Sequence, residues 1–491
     1  MFAACRGREK TPIIEKTNDN DLKYQFYISY YILLYCSIRK ACGKGWSELE
    51  YLQELFADRI GGPSFGKQAE LYKFEKMKKT RRRMEREHPE TLLIDLGVGE
   101  PDAMADAAVI DVLYEQAKEW KNRGYADNGI LLFQQAAATY LEEVFGVGGL
   151  CPETQILHSM GSKSALAMIP QAFINPGDIT LMTVPGYPIL GTKTKWLGGG
   201  VYSLPLLREN HFLPDLSSIP RAVLQKTKLL YLNYPNNPTG AVATKDFYQA
   251  VIEFAQQNEI IVIQDAAYGA LTFDERPLSF LSVEGAIEVG IEVHSLSKSY
   301  HMTGWRLGFI AGNEKIVKAV AAVKDNNDSG QFIAIQHAGA YALAHPEITQ
   351  AACEKYRRRH ELLSAALRRI GFLAVRPKAS FYEYMEIPKG TRDGRVFHTA
   401  EEFSDYLLQN ALISTVPWDD VGHSIRASVT FVADGEQEEA RGSSRRSSAV
   451  WPAVSLCFSQ FLTGSILKAI GLCFVNKSLP IQLGGDLLYR G

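Results

Sequence analysis

The chain has 491 residues, of which 46% are hydrophobic and 22% charged, and its formal net charge is −2. This length predicts about two or three domains with a large buried core. The near-neutral charge gives no electrostatic reason to expect nucleic acid or an acidic membrane surface as a partner. The seven cysteines include no C-x-x-C pair, and the ten histidines include no H-E-x-x-H motif. We therefore expect reduced thiols in an intracellular compartment and no metal site.

Residues 1–48 differ in character from the rest of the chain and predict an N-terminal extension. Within it, residues 24–38 are aromatic and apolar but fall short of the roughly 20 residues that a membrane-spanning helix needs. The extension is interpreted either as a targeting or disordered segment or as a mispredicted gene start. Residues 73–86 form a basic run, for which a solvated helix face is the favoured interpretation.

Residues 91–313 alternate between short apolar runs and helix-like stretches. The strand candidates are LLIDL, QILHSM, ITLMTV, VYSLPL, LLYLN, IIVIQ, IEVHS and LGFIAG. Such alternation predicts an α/β fold with a mostly parallel sheet between helices, whose ligand sites lie at the carboxyl ends of the strands. Residues 315–344 predict one long connector helix, and the later segments FLAVRP, FYEYMEI and ISTVPW predict a smaller α+β domain.

The predicted domain organisation follows these changes in pattern. Residues 49–100 are expected to complete the small domain, 101–314 to form the large domain, and 315–441 to form the connector and the small domain. Residues 442–491 follow a serine- and arginine-rich break and are expected to be a poorly ordered tail or the product of a wrong reading frame.

The stretch 291–309, IEVHSLSKSYHMTGWRLGF, carries Ser295, Lys298 and Arg306 between two apolar runs. Burial and neighbouring cations lower the pKa of a lysine in such a setting, so that it can act as an amine nucleophile. The arginine and the hydroxyl groups supply donors for a phosphate. These features together predict pyridoxal phosphate bound to Lys298 as a Schiff base, whereas a surface Ser-Lys pair with an unrelated arginine is the alternative.

Two other predicted strands also end in polar residues. Asp265 follows IIVIQ, where a carboxylate can pair with a protonated pyridine nitrogen. Tyr268 and Asn237, the latter in NNPTG after LLYLN, can donate to the phenolic oxygen of the same ring. Each residue alone is equally consistent with a helix cap or a turn, but their joint position after strands favours a cofactor site.

Two further loops complete the predicted cofactor site. QILHSM is followed by a glycine, by Ser162 and Lys163, and by a helical pattern, which is typical of an anion site at a helix N-terminus. Tyr187 lies in the rigid PGYP loop, where its ring can either stack on a flat cofactor or fill the core.

Three other motifs match known functional signatures only in part. The S-x-x-K sequence at 295–298 has no later K-T-G, which serine acyl-enzymes require. GGPSFGK at 61–67 is followed by Gln68, where a P-loop needs serine or threonine. GVGEPD at 97–102 lacks the third glycine of a dinucleotide-binding turn.

The motifs GEPD, YADNG, NNPTG, DAAY and SLSKSYHMTGWRLG resemble those of class I aminotransferases of fold type I. Residues 49–441 more specifically resemble the LL-diaminopimelate aminotransferase family, as in LFADRIGG, LGVGEPDAMAD and LISTVPWDDVGH. The resemblance implies a pyridoxal-phosphate-dependent transferase with a large α/β domain, a smaller α+β domain, and a homodimer whose active site is shared across the interface.

The resemblance also implies a role for each candidate residue. Lys298 would move the proton at the substrate's α-carbon, and Asp265 would hold the pyridinium. The other implied cofactor ligands are Ser162, Lys163, Tyr187, Asn237, Tyr268, Ser295, Arg306 and, from the neighbouring subunit, Tyr125. Arg426 would bind the substrate α-carboxylate, which the backbone N–H of Gly99 would also approach. Asp127 would meet the distal end of diaminopimelate across the interface.

The implied reaction is reversible amino transfer between LL-diaminopimelate and 2-oxoglutarate, giving tetrahydrodipicolinate and glutamate in lysine biosynthesis. The partners are then small amino acids and 2-oxo acids. The alternatives are a class I aminotransferase for aspartate, alanine or aromatic substrates, and a non-catalytic protein with a pyridoxal phosphate domain. The N-terminal extension favours the plastid stroma as the compartment, with the cytoplasm as the alternative.

Overall fold

The computed structural model describes residues 51–67, 73–89, 93–369, 371–391, 394–430 and 472–473. The chain divides into two compact units, residues 1–72 and 73–491. The predicted extension 1–48 and all but two residues of the predicted tail 442–491 lie outside the described residues. The described part of the first unit is a short helix followed by two 3-10 turns.

Helices are numbered in chain order across the described residues. They are α1 (Tyr51–Glu54), α2 (Lys73–Glu87), α3 (Ala107–Lys118), α4 (Leu131–Tyr140), α5 (Pro152–Gln155), α6 (Gly161–Phe173), α7 (Ile189–Trp196), α8 (Arg221–Leu224), α9 (Lys245–Asn258), α10 (Ala286–Val289), α11 (Leu296–Ser299), α12 (Glu314–Lys324), α13 (Ile333–Leu343), α14 (Glu347–Arg369) and α15 (Ala400–Ala411). None of these helices combines the length and the apolar character that a membrane span requires.

Strands are numbered in the same way. They are β1 (Ile94–Asp95), β2 (Ile156–Ser159), β3 (Ile179–Val184), β4 (Gly200–Pro205), β5 (Thr227–Asn233), β6 (Ile261–Asp265), β7 (Gly290–Ser295), β8 (Gly308–Gly312), β9 (Tyr382–Glu386), β10 (Gly390–Thr391), β11 (Ile413–Ser414), β12 (Val416–Trp418), β13 (Ser424–Ser428) and β14 (Leu472–Cys473). The short strands β10 and β14 pair with each other in antiparallel orientation.

The second unit is built on a seven-stranded sheet of order β2-β8-β7-β6-β5-β3-β4. The pairs from β7 to β4 are parallel, whereas β8 is antiparallel to both of its neighbours, β2 and β7. The predicted α/β fold with a mostly parallel sheet is therefore confirmed. Because parallel strands end at the same edge, the loops after β3, β5, β6 and β7 meet there.

Alternation along the strands buries both faces of this sheet. Leu230 and Leu232 of β5 face one apolar core, and Leu229 and Tyr231 face the other. The first core is covered by α3, α4, α9 and α13, and the second by α6, α7 and α12. Complete burial of each leucine contributes about 2 kcal/mol to folding relative to an exposed side chain. The result is a sheet held between two helical layers.

A smaller α+β region contains the sheet β12-β13-β9 together with α14 and α15. Its core includes Tyr356, Phe403 and Ile425. The run LLIDL, which lies within residues 49–100, forms β1, and β1 pairs with β11 rather than with a strand of the large sheet. Ile94 of β1 and Ile413 of β11 both belong to the core of this smaller region. An apolar run indicates a buried strand but does not identify its neighbour.

The prediction of one long connector helix over residues 315–344 is wrong. Residues 315–344 form two helices, α12 and α13, separated by residues 325–332. The separating sequence, DNNDSGQF, is rich in asparagine, aspartate and glycine, whose side chains and backbone freedom favour turns over helix. This loop bears on the site described below.

Candidate active site

The candidate residues gather where β5, β6 and β7 end. Asp265 is the last residue of β6, and Asn237 follows β5 in a turn in which its backbone N–H donates to the side chain of Asn233. Ser295 ends β7 and caps α11, because its Oγ accepts a hydrogen bond from the N–H of Ser297. That cap fixes the short helix that carries Lys298.

Lys298 is partly buried, and its Nζ donates a 2.6 Å hydrogen bond to the carbonyl of Gly99. Burial lowers the pKa of Lys298 to about 8; the charges of Arg306 and Arg426 act in the same direction, and that of Glu100 opposes them. An amine with this pKa loses its proton much more readily near neutral pH than an ordinary lysine. The geometry thus provides an amine suited to nucleophilic and base chemistry.

Asp265 is buried and accepts hydrogen bonds from the hydroxyl of Tyr231 at 3.0 Å and from the N–H of Ala267 at 3.1 Å. Burial raises the pKa of Asp265 to about 6, although these two donors and nearby His294 oppose the rise. Among the ion pairs of the described residues, none includes Asp265. A buried carboxylate of this kind is stabilised by a cationic partner, which a protonated ring nitrogen would supply.

An anion cradle lies at the N-terminus of α6. Gly161 begins this helix with φ +72°, and a Cβ on it would lie 2.5 Å from Nη2 of Arg306. The guanidinium is held from its other side by hydrogen bonds from Nη1 to Ser297 Oγ at 3.3 Å and to the carbonyl of Thr303 at 2.8 Å. Exposed N–H groups of the helix and this charge together suit a phosphate.

Ser162 and Lys163 follow Gly161 at the same helix end. The side chain of Ser162 is partly buried beside the cradle, whereas that of Lys163 is exposed and has no ion pair within the described residues. Tyr187 is partly buried and packs against the sheet face that also carries Tyr231. Ser162 thus lies in the helix end that forms the cradle, Tyr187 packs against the core that contains Tyr231, and Lys163 is exposed.

Arg426 is buried on β13 and lies with its guanidinium 4.0 Å from the ring centre of Tyr382. Its Nη1 donates to Asn237 Oδ1 at 3.0 Å, and its Nη2 donates to the carbonyl of Gly97 at 3.2 Å. The hydroxyl of Tyr382 lies 3.1 Å from that of Tyr268. The predicted residues Arg426, Asn237 and Tyr268 are therefore linked, with Tyr382 between two of them.

Sequence reasoning named no role for Tyr382, although the predicted segment FYEYMEI contained it. Its ring contacts both Arg426 and Tyr268, and a Cβ on Gly99 would meet its hydroxyl at 3.3 Å. An aromatic residue in a strand usually fills the core, and only the packing shows that this one borders the site.

A second missed feature is the ion cluster of Asp102. Its carboxylate accepts from Lys355 Nζ at 2.8 Å, Tyr356 Oη at 2.9 Å and Arg359 Nη1 at 2.8 Å, all from α14. Arg359 also donates to the carbonyl of Val429, just beyond β13. The cluster thus anchors the GEPD segment to the small domain.

Tyr125 and Asp127 lie in the loop before α4, and within one chain they are not brought to the site around Lys298. The side chain of Tyr125 is 85% exposed, and that of Asp127 is also exposed. The backbone carbonyl of Asp127 accepts a short hydrogen bond from Lys324. No group of three or more potential metal ligands occurs within the described residues.

The site thus combines a lysine of lowered pKa, a buried carboxylate, an anion cradle and a buried arginine at one edge of a mostly parallel sheet. This combination suits an enzyme that transfers a group to or from anionic compounds. A family model described as aminotransferase class I and II matches residues 91–442. The chain therefore belongs to this family and is an aminotransferase.

Two relatives of this chain are both named LL-diaminopimelate aminotransferase. The LL-diaminopimelate aminotransferase of Methanocaldococcus jannaschii is 58% identical over 386 residues, covering 79% of this chain and 92% of that protein. The LL-diaminopimelate aminotransferase of Methanococcus maripaludis is 56% identical over 396 residues, covering 80% and 95%. The resemblance to this family is thus confirmed.

Solved structures are similar as well. Substrate-bound BacF from Bacillus subtilis has a TM-score of 0.71 and 34% identity, covering 79% of this chain and 96% of that one. A mutant aspartate aminotransferase of Thermus thermophilus has a TM-score of 0.69 and 26% identity, covering 83% and 99%. Both likenesses agree with the predicted fold type.

Proposed function

We propose that this chain uses pyridoxal 5'-phosphate to transfer an amino group reversibly between LL-diaminopimelate and 2-oxoglutarate, giving tetrahydrodipicolinate and glutamate in lysine biosynthesis. The observation that carries the proposal is the amine of Lys298, with its pKa near 8, in one site with Asp265 and Arg426. Relatives at 56% and 58% identity are named for the same activity.

The residues of the site fit the cofactor. When bound, pyridoxal phosphate supplies an electron sink that stabilises negative charge at the substrate's α-carbon. Asp265 would pair with its ring nitrogen, and the donors of the cradle with Arg306 would hold its phosphate. The amide oxygen of Asn237 already accepts from Arg426, which leaves the amide NH₂ as the donor towards the ring.

Lys298 would take up and return the proton at the α-carbon, because its pKa lets it change protonation near neutral pH. Arg426 would bind the α-carboxylate. The Nε of its guanidinium is buried and has no hydrogen-bond partner within the described residues, so a donor remains for an incoming anion. The distal end of the substrate would then decide which amino acid is accepted.

We further propose that the enzyme works as a homodimer in which Tyr125 and Asp127 reach the neighbouring active site. Several large apolar side chains of residues 104–132, the part of the chain that contains this loop, are exposed in the single chain, which supports an interface there. They are Met104, Tyr114, Trp120, Leu131 and Leu132.

A substrate panel tests the proposed function. Purified protein loaded with the cofactor is given LL-diaminopimelate, aspartate, alanine or an aromatic amino acid, each with 2-oxoglutarate, and glutamate formation is measured. We expect the highest kcat/KM for LL-diaminopimelate. Faster turnover of another amino acid would assign the chain to the alternative class I activity, and no turnover of any would contradict the proposal.

A further inference from the structure

We propose that Lys324 and Asp328 are positioning residues that hold the loop 125–129 so that Tyr125 and Asp127 project into the active site of a second copy of this chain. The inference rests on the proposed function, because it takes the active site to be shared between two copies. It concerns a buried ion pair that contacts the loop carrying Tyr125 and Asp127.

Lys324 is the last residue of α12, and its side chain is completely buried. Its ammonium group donates to the backbone carbonyl of Asp127 and to Asp328 Oδ1, the latter at 2.5 Å. A buried cation is costly unless it is paired and hydrogen-bonded. Here its partners are one carboxylate and one carbonyl, and that carbonyl belongs to the loop 125–129.

The loop between α12 and α13 holds the same segment from another direction. Asp328 Oδ1 also accepts from the backbone N–H of Gly330 at 2.8 Å. Gly330 has φ +82°, and a Cβ on it would lie 2.6 Å from the backbone nitrogen of Asp127. The two backbones therefore approach too closely for any side chain at this position.

Further bonds fix the residues that follow. Asn128 Nδ2 donates to Asp325 Oδ1 at 2.9 Å, and the carbonyl of Asn128 accepts from the N–H of His158 at 3.1 Å. The N–H of Ile130 donates to Gln336 Oε1 at 2.8 Å. The loop and the residue that follows it are thus attached to β2, to α13 and to the loop between α12 and α13.

Two side chains of this fixed loop, those of Tyr125 and Asp127, are exposed. Tyr125 is 85% exposed, and no hydrogen bond or ring contact within the described residues includes it. A tightly held backbone that presents an exposed aromatic side chain is pre-organised for a partner, since little conformational freedom remains to be lost on binding. Burying the Lys324 ammonium is costly, and its bonds to Asp328 and to the carbonyl of Asp127 offset this cost while they hold the loop.

Mixed dimers test whether Lys324 acts across the interface. One subunit carries Lys298→Ala and the other Lys324→Met, and two different affinity tags isolate the mixed dimer after co-expression. The only intact Lys298 then lies on the Lys324→Met subunit, whereas the loop that serves its site comes from the subunit with an intact Lys324. We expect the Lys324→Met homodimer to bind pyridoxal phosphate about tenfold or more weakly, because small misplacements of a ligand group have such effects. The mixed dimer is expected to regain about half of the wild-type activity, since one of its two sites is complete.

Matched variants separate the possible outcomes. Lys318→Met, at an exposed position of the same helix, should leave cofactor affinity unchanged. Tyr125→Phe paired with Lys298→Ala reports on the shared site itself. If this pair recovers activity and the Lys324→Met pair does not, Lys324 acts within its own subunit and the inference is wrong, while the proposed function stands. If Tyr125→Phe alone binds the cofactor as the wild type does, the shared site is refuted as well.

A second variant covers the case in which Lys324→Met does not fold. Asp328→Asn keeps an oxygen for the N–H of Gly330 but removes the charge that Lys324 faces. As a homodimer, Asp328→Asn should also bind the cofactor more weakly than the wild type. In a mixed dimer with Lys298→Ala, it should recover activity as Lys324→Met does. Failure of recovery with this folded variant would overturn the inference.

Discussion

Replacing Asp102 with asparagine removes one charge from the cluster that anchors the GEPD segment. The carboxylate is buried between Lys355 and Arg359 of α14. The segment it anchors supplies the carbonyl of Gly99 to Lys298 and the carbonyl of Gly97 to Arg426. The substitution is therefore expected to affect both stability and the geometry of the site.

The contribution of Asp102 to the free energy of unfolding follows from its pKa. Burial alone would raise the pKa of Asp102, but the charges of Arg359 and Lys355 outweigh it and lower the pKa from 3.8 to about 2. This difference corresponds to about 2 kcal/mol of the free energy of unfolding at neutral pH. Because the pKa is lowered in the folded state, this stability is present above about pH 4 and is lost as the pH falls towards 2.

Two opposing effects adjust this value. Burial also lowers the pKa of Lys355, although Asp102 opposes this, so part of the gain is offset. Asparagine, however, removes the carboxylate that Lys355 and Arg359 share, and breaking a buried pair costs about 3–5 kcal/mol. We expect a net loss of about 3 kcal/mol for Asp102→Asn, and partial recovery when Lys355→Met is added, because the Lys355 charge that loses this carboxylate is then removed as well.

Urea unfolding at pH 7 and at pH 3, followed by tryptophan fluorescence, measures these free energies. Glu354→Gln is the control, because its partner Arg357 lies on the exposed side of α14 and such pairs contribute less than about 1 kcal/mol. The KM for the amino donor should rise in Asp102→Asn but not in the control. A loss equal to that of the control, or no gain from the added Lys355→Met, would refute the reasoning.

Three further changes are expected to act within the site. Arg426→Lys should raise the KM of both substrates by about tenfold to a hundredfold, because a charged bidentate contact is worth about 1.5–3 kcal/mol; steady-state kinetics with an unchanged KM would contradict the clamp. Gly161→Ala places a methyl group 2.5 Å from Nη2 of Arg306, and fluorescence titration should show about tenfold or more weaker binding of pyridoxal phosphate, whereas wild-type affinity would rule out the cradle. Tyr231→Phe removes a donor to Asp265 and should raise the pKa of that carboxyl further above about 6, so the acidic limb of the kcat/KM profile should move to higher pH; an unshifted limb would show that Asp265 does not control it.

Much of the site was predictable because its residues follow strands at short spacing. Asp265, Ser295 and Lys298 are fixed by the ends of β6 and β7, so an apolar run followed by a polar residue indicates their common edge. Arg426 has no such local signal and was predicted from family resemblance alone. Its contacts with Gly97 and Asn237 span long stretches of sequence.

The features that were missed depend on packing between distant segments. The partners of Asp102 lie more than 250 residues away, and nothing in a single sequence pairs them. Likewise, β1 is an apolar run whose partner β11 is set by the whole topology. The break between α12 and α13 is different, because its Asp, Asn and Gly residues are a turn signal that the sequence does contain.

Covalent trapping tests the central claim most directly, namely that the amine of Lys298 carries the cofactor. Protein loaded with pyridoxal phosphate is reduced with borohydride, digested, and mapped by mass spectrometry, with Lys298→Ala as the control. The account predicts one phosphopyridoxyl group on the peptide that contains Lys298 and none in the control. Attachment at Lys163 or Lys324, or an equal yield in the control, would contradict it.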